Sequence, residues 1–129
     1  MYATVGTTEI FYTVAGVGLP CLVPSLAGTP IYERTFAPAL EGDLRLIFVE
    51  LRANRTAVGD VATLTLRALI EDMDALRRAL GLERVGVLGH SGHSILALAY
   101  AARVIIVGGM PGFSLALRQQ TAARGAGRR

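Results

Sequence analysis

The sequence predicts an α/β fold, a three-layer arrangement of a mostly parallel β-sheet with helices on both faces. Short apolar runs alternate with longer amphipathic runs along the chain, and this alternation is typical of the β-α units that build parallel sheets. Hydrophobic residues make up 52% of the chain, and the mean hydropathy is +0.46. Both values fit strands that are buried on both faces. A chain of 129 residues is long enough to form one such core.

The first half of the chain contains four predicted strands and one helix. Gly6 lies in a turn between the first two strands, so we expect a hairpin at the sheet edge. Thr29 is a suitable helix N-cap and Pro30 a suitable first helical residue, and the helix is expected to run to about Leu40. The predicted strands are residues 2–5, 9–14, 21–23 and 44–51.

The second half of the chain contains two predicted helices and two predicted strands. Apolar residues recur at helical spacing from Leu66 to Leu80, and Gly81 is the expected stop in the left-handed conformation. Asp60 or Thr63 is the expected cap of this helix. The predicted strands are residues 84–88 and 104–107, and an apolar helix, residues 95–102, lies between them.

Charge and cysteine content narrow the range of partners. Residues 1–102 hold 8 Arg and 10 acidic residues, a net charge of −2, whereas residues 103–129 hold 5 Arg and no acidic residue. The basic pI of 9.6 therefore belongs to the C-terminal part, and the body has no nucleic-acid-binding footprint. Cys21 is the only cysteine, so an internal disulfide is excluded. The N-terminus has no secretory signal pattern, and a cytoplasmic location is the expectation.

Residues 95–113 are apolar enough to raise the possibility of a membrane span. Arg103 lies in the middle of this run and would cost ~2.5–3.5 kcal/mol on insertion scales. Gly108 and Pro111 also interrupt the run. We therefore expect a buried helix followed by a buried strand, and no membrane partner.

A serine flanked by glycines joins the predicted strand 84–88 to the helix after it. Gly89 lies two residues before Ser91, and Gly92 follows it directly. A serine on a strained turn needs small neighbours, and the order strand, turn, helix is that of a nucleophile elbow. The other roles open to Ser91 are a helix N-cap or part of a packing turn. His93 stands where the pattern Gly-x-Ser-x-Gly has its second glycine.

With this motif the chain resembles the α/β-hydrolase family, in the branch that hydrolyses esters and peptides and whose elbow reads Gly-His-Ser. The resemblance covers about residues 2–113. It implies that Ser91 is the nucleophile and that the amides of Gly92 and Ala27 form the oxyanion hole. It implies a small-molecule ester or amide substrate and no organic cofactor or metal ion. It also implies an incomplete sheet, truncated after the sixth strand and missing the last two strands.

The base and acid that such a serine needs are not evident in the sequence. The family order is Ser, then an acid, then His, yet after Ser91 there is no Asp or Glu and no histidine beyond His93. His90 and His93 share one short turn with Ser91, so neither is well placed to take its proton, and we expect packing or polar contacts for both. We therefore predict negligible hydrolase turnover from this chain alone.

Glu50, Asp72 and Asp74, which precede the serine in the sequence, are candidate acidic partners for it. Glu50 ends a predicted strand and could point toward the site, although the resemblance implies a structural role. Asp72 and Asp74 lie on a long predicted helix, and we expect both to be solvated.

The sequence thus predicts the N-terminal part of an α/β-hydrolase core over residues 1–113. Residues 114–129 form an Arg-, Ala- and Gly-rich tail, expected to be disordered or a short helix. One alternative is a non-catalytic remnant or partial gene product, a second is an interaction module that pairs through an exposed sheet edge, and a third is a membrane-anchored fragment. The last predicted strand would lie at an exposed edge of the sheet, where it could pair with another copy of the chain, so we expect self-association. This strand consists of Val104, Ile105, Ile106 and Val107.

Overall fold

The computed structural model describes residues 1–6, 8–26, 28–52, 62 and 64–108, and of residues 104–108 the backbone alone. The strands in this part of the chain are β1 (Tyr2–Val5), β2 (Thr8–Ala15), β3 (Leu19–Ser25), β4 (Leu44–Glu50) and β5 (Gly86–Val87). The helices are α1 (Thr29–Leu40), α2 (Leu66–Ala79) and α3 (His93–Gly108). The predicted tail, residues 114–129, lies outside the described residues.

The strands form one mixed sheet in the order β1-β2-β4-β3-β5. β1 and β2 pair antiparallel at one edge, which confirms the predicted hairpin, and β2 also runs antiparallel to β4. β4, β3 and β5 are mutually parallel. The ladder between β3 and β5 continues past the short β5, because the Leu88 amide donates to the Leu22 carbonyl at 2.9 Å. The carboxyl ends of these three strands therefore meet at one edge of the sheet.

Alternate residues of β3 and β4 supply two hydrophobic clusters on opposite faces of the sheet, which is why both strands read as unbroken apolar runs. Four consecutive residues of β4, from Leu46 to Val49, are fully buried. On one face Leu22, Ile47 and Val49 pack with residues of α2 and α3 such as Met73, Leu76, Leu96 and Tyr100. On the other face Cys21, Val23, Leu46 and Phe48 pack with Tyr32 and Ala37 of α1. The predicted three layers are confirmed.

The end of α2 agrees with the sequence prediction, but its start does not. Gly81 has a φ of 66°, the Leu82 amide donates to the Arg77 carbonyl, and the Gly81 amide donates to the Arg78 carbonyl. This is a Schellman motif with glycine in the left-handed position. The N-cap is Thr65, whose hydroxyl accepts from the Ala68 amide at 3.1 Å. The prediction of Asp60 or Thr63 as cap was wrong because Thr65 directly precedes the first helical residue.

The cap of α1 also differs from the prediction by one residue. Gly28, with a φ of 85°, is the N-cap, and no side chain caps the helix. Thr29 is the first helical residue and is buried. The helix ends at Leu40 as predicted, although Pro38 lies inside it. A glycine cap is favourable here because its backbone tolerates a positive φ.

The predicted strand over residues 104–107 is wrong, since these residues continue α3 to Gly108. No glycine or proline separates Ala102 from Val104, so no turn ends the helix where the prediction needed one. Extending an existing helix through β-branched residues costs only a few tenths of a kcal/mol per residue. At the protein surface, Arg103 Nη2 lies 3.3 Å from Glu71 Oε1 of α2, an exposed pair of small energetic weight. Residues 104–107 therefore offer no strand edge for pairing, and self-association of the chain stays a prediction.

Asp72 is not solvated, contrary to the prediction for this helix. It is 6% exposed and accepts two hydrogen bonds from Arg52, at 2.7 Å from Nε and 2.6 Å from Nη2. Asp74 is half-buried and pairs with Arg77 at 2.8 Å. Helical spacing alone could not show that Arg52, just after β4, reaches α2. This bidentate pair fastens the chain after β4 to the helix layer.

Replacing Asp72 by Asn should destabilise the fold by about 1–2 kcal/mol, since it removes the charge-assisted pair while Arg52 can still reach solvent. Urea unfolding followed by circular dichroism measures the change. The control is Glu71→Gln on the exposed face of the same helix, which should leave the urea midpoint almost unchanged. Equal effects of the two changes would contradict this account.

Burial of Cys21 predicts a loss of stability at high pH. Burial raises the pKa of its thiol from 9.0 to about 11, so between these values the unfolded chain has lost a proton that the folded chain keeps. The free energy of unfolding is therefore constant below pH 9 with respect to this group. Above pH 9 it falls by up to about 1.4 kcal/mol per pH unit until the folded thiol also ionises.

Urea titrations between pH 7 and 10.5 measure this slope, and Cys21→Ala is the control variant. Burial also raises the pKa of Tyr100, which acts in the same direction at the upper end of the range. Cys21→Ala should therefore retain a shallower slope that begins at higher pH. Identical pH profiles for the two proteins would contradict the assignment to Cys21.

Candidate functional site at the carboxyl edge of the sheet

The carboxyl ends of β3, β4 and β5 lie at one edge of the sheet, and the turn that carries Ser91 follows β5 there. Ser25 and Glu50 end neighbouring strands and are register partners. β5 leads through Leu88 into the turn that carries Ser91. In open α/β sheets, ligands bind outside the carboxyl ends of the strands. A reacting group on Ser91 at this edge would therefore lie where a ligand can bind.

Ser91 lies on a strained turn between β5 and α3. Its φ is 55°, and it is the only residue other than glycine with a positive φ in the described part of the chain. The left-handed region costs an L-residue roughly 1–2 kcal/mol, so the surrounding packing must hold it there. Ser91 is exposed, and no hydrogen bond among the described residues involves its Oγ. The strained turn predicted from the glycine spacing is present.

Gly89 makes this turn possible because the chain passes close to α3 there. A Cβ at this position would lie 2.5 Å from the His93 carbonyl oxygen and 2.7 Å from the Ala97 Cβ. Real side chains do not tolerate such distances. The helix starts at once, since the His93 amide donates to the His90 carbonyl and the Ser94 amide to the Ser91 carbonyl.

Gly92 follows the serine and faces open space. A Cβ at this position would meet nothing within 4 Å. Among the hydrogen bonds of the described residues, none uses the Gly92 amide. This amide lies at the N-terminus of a 16-residue helix, where the backbone dipoles favour negative charge. It can therefore donate to an oxygen brought to Ser91.

Ala27, the second predicted oxyanion residue, lies outside the described residues, but its flanks are described. Ser25 is fully buried, and its hydroxyl donates to the Gly28 carbonyl at 2.7 Å. The Leu51 amide donates to the Ser25 carbonyl. The loop after β3 is thus fastened at both ends.

His93 connects this loop to the Ser91 turn. Its Nε2 accepts from the Leu26 amide at 2.9 Å, and its Nδ1 lies 2.7 Å from the Tyr32 hydroxyl. An amide N–H can only donate, so Nε2 carries no proton and Nδ1 is the protonated nitrogen of the neutral ring. Both nitrogens already have hydrogen-bond partners other than Ser91. The hydrogen bonds give His93 a polar-contact role and leave it without a free nitrogen to act as base.

His90 packs among aromatic rings of α1. Its ring lies edge-on to Tyr32, with centroids 5.9 Å apart, and to Phe36 at 5.8 Å. The Tyr32 hydroxyl also approaches the His90 carbonyl at 3.4 Å. Sequence reasoning missed Tyr32, because nothing in the pattern of α1 distinguishes it from an ordinary core residue.

The acidic candidates are not brought to the serine. Glu50 ends β4, and β3 lies between β4 and β5, so roughly two strand spacings, about 10 Å, separate it from the strand that leads into the turn. Asp72 is paired with Arg52. Among the described residues, no three His, Cys, Asp or Glu side chains are placed to hold a metal ion. No helix in the same residues is long and apolar enough to cross a membrane.

Known proteins are similar to this chain in sequence and in fold. No family model matches the chain. The AB hydrolase superfamily protein YclE from Bacillus subtilis (strain 168) is 32% identical over 95 residues, which are 72% of this chain and 33% of that protein. The chain therefore spans about a third of the length of this curated relative.

Solved structures show the same partial overlap. An α/β fold family hydrolase from Bacillus anthracis str. Sterne matches with a TM-score of 0.67 and 25% identity, over 81% of this chain and 39% of its own. A proline iminopeptidase-related protein from Thermus thermophilus matches with a TM-score of 0.66 and 27% identity, over 80% of this chain and 39% of that protein. Epoxide hydrolase VrEH1 from Vigna radiata, 19% identical, shares the fold with a TM-score of 0.67 over 81% and 35%.

The mixed sheet is that of an α/β-hydrolase core. The chain belongs to the α/β-hydrolase family, and the described sheet is a partial form of that fold.

The close approach at Gly89 predicts that Gly89→Ala destabilises the fold by about 1–3 kcal/mol, since the new methyl group must displace α3 backbone. Gly92→Ala is the matched control three residues away. Gly92 faces open space and has no positive φ, so the stability of the Gly92→Ala protein should change little or rise slightly. Thermal unfolding of both variants measures the difference, and a stable Gly89→Ala protein would show that the turn is not held this way.

Proposed function

We propose that this chain provides the nucleophile of an acyl-transfer hydrolase, with Ser91 attacking the carbonyl carbon of an ester or amide. The φ of 55° at an exposed serine between β5 and α3 carries the proposal. Such a turn presents Oγ beyond the end of the sheet, where a substrate can reach it. Packing or helix capping alone does not require a serine in the left-handed region.

The reaction has two steps. In the first, Ser91 Oγ bonds to the carbonyl carbon, its proton passes to a base, and the bond to the alcohol or amine breaks as that group takes up a proton. In the second, water attacks the acyl-serine, the bond from Oγ to carbon breaks, and Ser91 regains its proton. The net change is one ester or amide plus water giving an acid plus an alcohol or amine.

The oxygen that becomes negative in each step needs donors. We propose the Gly92 amide as one, because no described residue uses it and it lies at the start of α3. The Ala27 amide, in the loop after β3, is proposed as the other. Such donors contribute most when they are fixed before the reaction and aimed at the position of the oxyanion.

The proposed base and acid are not residues of this chain's described site. Both His93 nitrogens are occupied, and no Asp or Glu follows Ser91 in the sequence. The curated relative is about three times as long as the matched region, so we propose that a base and an acid come from polypeptide beyond it. Turnover by the 129-residue chain alone should then be negligible.

An added base should reveal the nucleophile. The purified chain is incubated with p-nitrophenyl acetate, with and without imidazole, and the acetylated peptide is identified by mass spectrometry. We expect imidazole-dependent acetylation at Ser91 that is abolished by Ser91→Ala. Ser94→Ala is the matched control, because this serine lies one helical turn on and its hydroxyl bonds the Gly89 carbonyl, so it should label like the unmodified chain.

Three outcomes would contradict parts of the proposal. Equal acetylation of Ser91 and other hydroxyls would show that the turn does not activate this serine. No acetylation of Ser91 at any imidazole concentration would favour the non-catalytic alternative. Rapid acetylation without imidazole would show that the chain already contains a base.

A further inference from the structure

The His93 imidazole joins the two segments that carry the proposed oxyanion donors. In sequence it directly follows Gly92, the first donor. Its Nε2 accepts from the backbone amide of Leu26 at 2.9 Å, and Leu26 directly precedes Ala27, the second proposed donor. The ring therefore links the turn after β5 to the loop after β3, across 67 residues of sequence.

The ring is itself held on its other side. Tyr32 is 9% exposed, its hydroxyl lies 2.7 Å from His93 Nδ1, and its ring meets the imidazole edge-on with centroids 5.4 Å apart. Phe36 packs against Tyr32, with ring centroids 5.2 Å apart. A group that positions others must have a fixed orientation of its own, and α1 supplies it here.

The tautomer fits this arrangement at each atom. Nε2 has a lone pair for the Leu26 N–H, Nδ1–H donates to the Tyr32 oxygen, and the Tyr32 O–H points toward the His90 carbonyl at 3.4 Å. Glycine, the residue that the Gly-x-Ser-x-Gly pattern places at position 93, has no side chain to make these bonds. The departure from the pattern thus adds a contact that the pattern lacks.

We propose that His93 is a positioning residue, which holds the loop after β3 against the Ser91 turn and so fixes the separation between that loop and the Gly92 amide. This inference rests on the proposed function, because it assigns His93 a role in that reaction. An oxyanion donor acts within about 2.7–3.1 Å of the oxygen, and misplacement by 1 Å can cost ~100-fold in rate. Two loops joined by a side chain keep that separation better than two independent loops.

The test compares His93→Gln with His93→Leu in the imidazole-dependent acetylation of Ser91. The glutamine amide can accept from Leu26 and donate to Tyr32, whereas leucine has comparable bulk and can do neither. We expect His93→Leu to slow acetylation by ~10–100-fold. His93→Gln should restore most of the rate, and Ser94→Ala should leave it unchanged.

Three results would overturn the proposal. His93→Leu could react like the unmodified chain, or it could lose rate only in proportion to its unfolded fraction, measured in parallel by circular dichroism. Alternatively, both variants could fail equally and recover fully at high imidazole concentration, which would make His93 the base.

Nuclear magnetic resonance separates a failure of this inference from a failure of the proposed function. In the 15N-labelled chain, His93 should carry its proton on Nδ1, and the Leu26 amide should exchange with solvent more slowly than in His93→Leu. If these signals are as expected but Ser91 is never acetylated, the proposed function fails and the bond remains without a role in the reaction. If Ser91 reacts and Leu26 exchanges equally fast in both proteins, only the positioning role fails.

Discussion

The contact between the end of β5 and the first turns of α3 is the constraint on which the site depends. The chain must pass from strand to helix within a few residues while Gly89 lies against the backbone of α3. That approach leaves no room for a side chain, and Ser91 adopts a left-handed conformation to complete the turn. The strain is stabilised by the helix behind it, where Leu96 and Tyr100 are buried against the sheet.

Sheet topology decides which other segment can meet this turn. β3 lies directly beside β5 and runs parallel to it, so the loop after β3 and the turn after β5 leave the sheet at the same edge. This adjacency brings the Leu26 amide within reach of His93. β4 ends one strand further away, which explains why Glu50 does not join the serine although it ends a strand of the same parallel set.

Sequence patterns predicted the features that depend on local rules. The hairpin, the burial of β3 and β4 on both faces, the Gly81 stop and the strained Ser91 turn each follow from glycine placement or hydrophobic periodicity. The prediction that Asp72 is solvated failed because its pairing depends on longer-range packing. Arg52 reaches Asp72 across 20 residues of sequence, and no periodicity within α2 shows that pairing.

Two other differences have equally physical reasons. Residues 104–107 read as a strand by composition, yet α3 runs through them because nothing in the sequence ends the helix at Ala102. His93 was expected to make packing or polar contacts, but its particular partners depend on how α1 and the loop after β3 lie against the turn. Tyr32 and Leu26 had no sequence signal that could have identified them.

The proposed function requires that the Ser91 turn presents a nucleophile beside a ready oxyanion donor. A crystal structure of the chain after prolonged reaction with an alkyl fluorophosphonate would show both groups at once. We expect phosphorus bonded to Ser91 Oγ, a positive φ retained at Ser91, and a phosphonyl oxygen about 2.7–3.1 Å from the Gly92 amide nitrogen. A phosphonyl group on another residue, or one on Ser91 whose oxygen faces solvent away from Gly92, would contradict it.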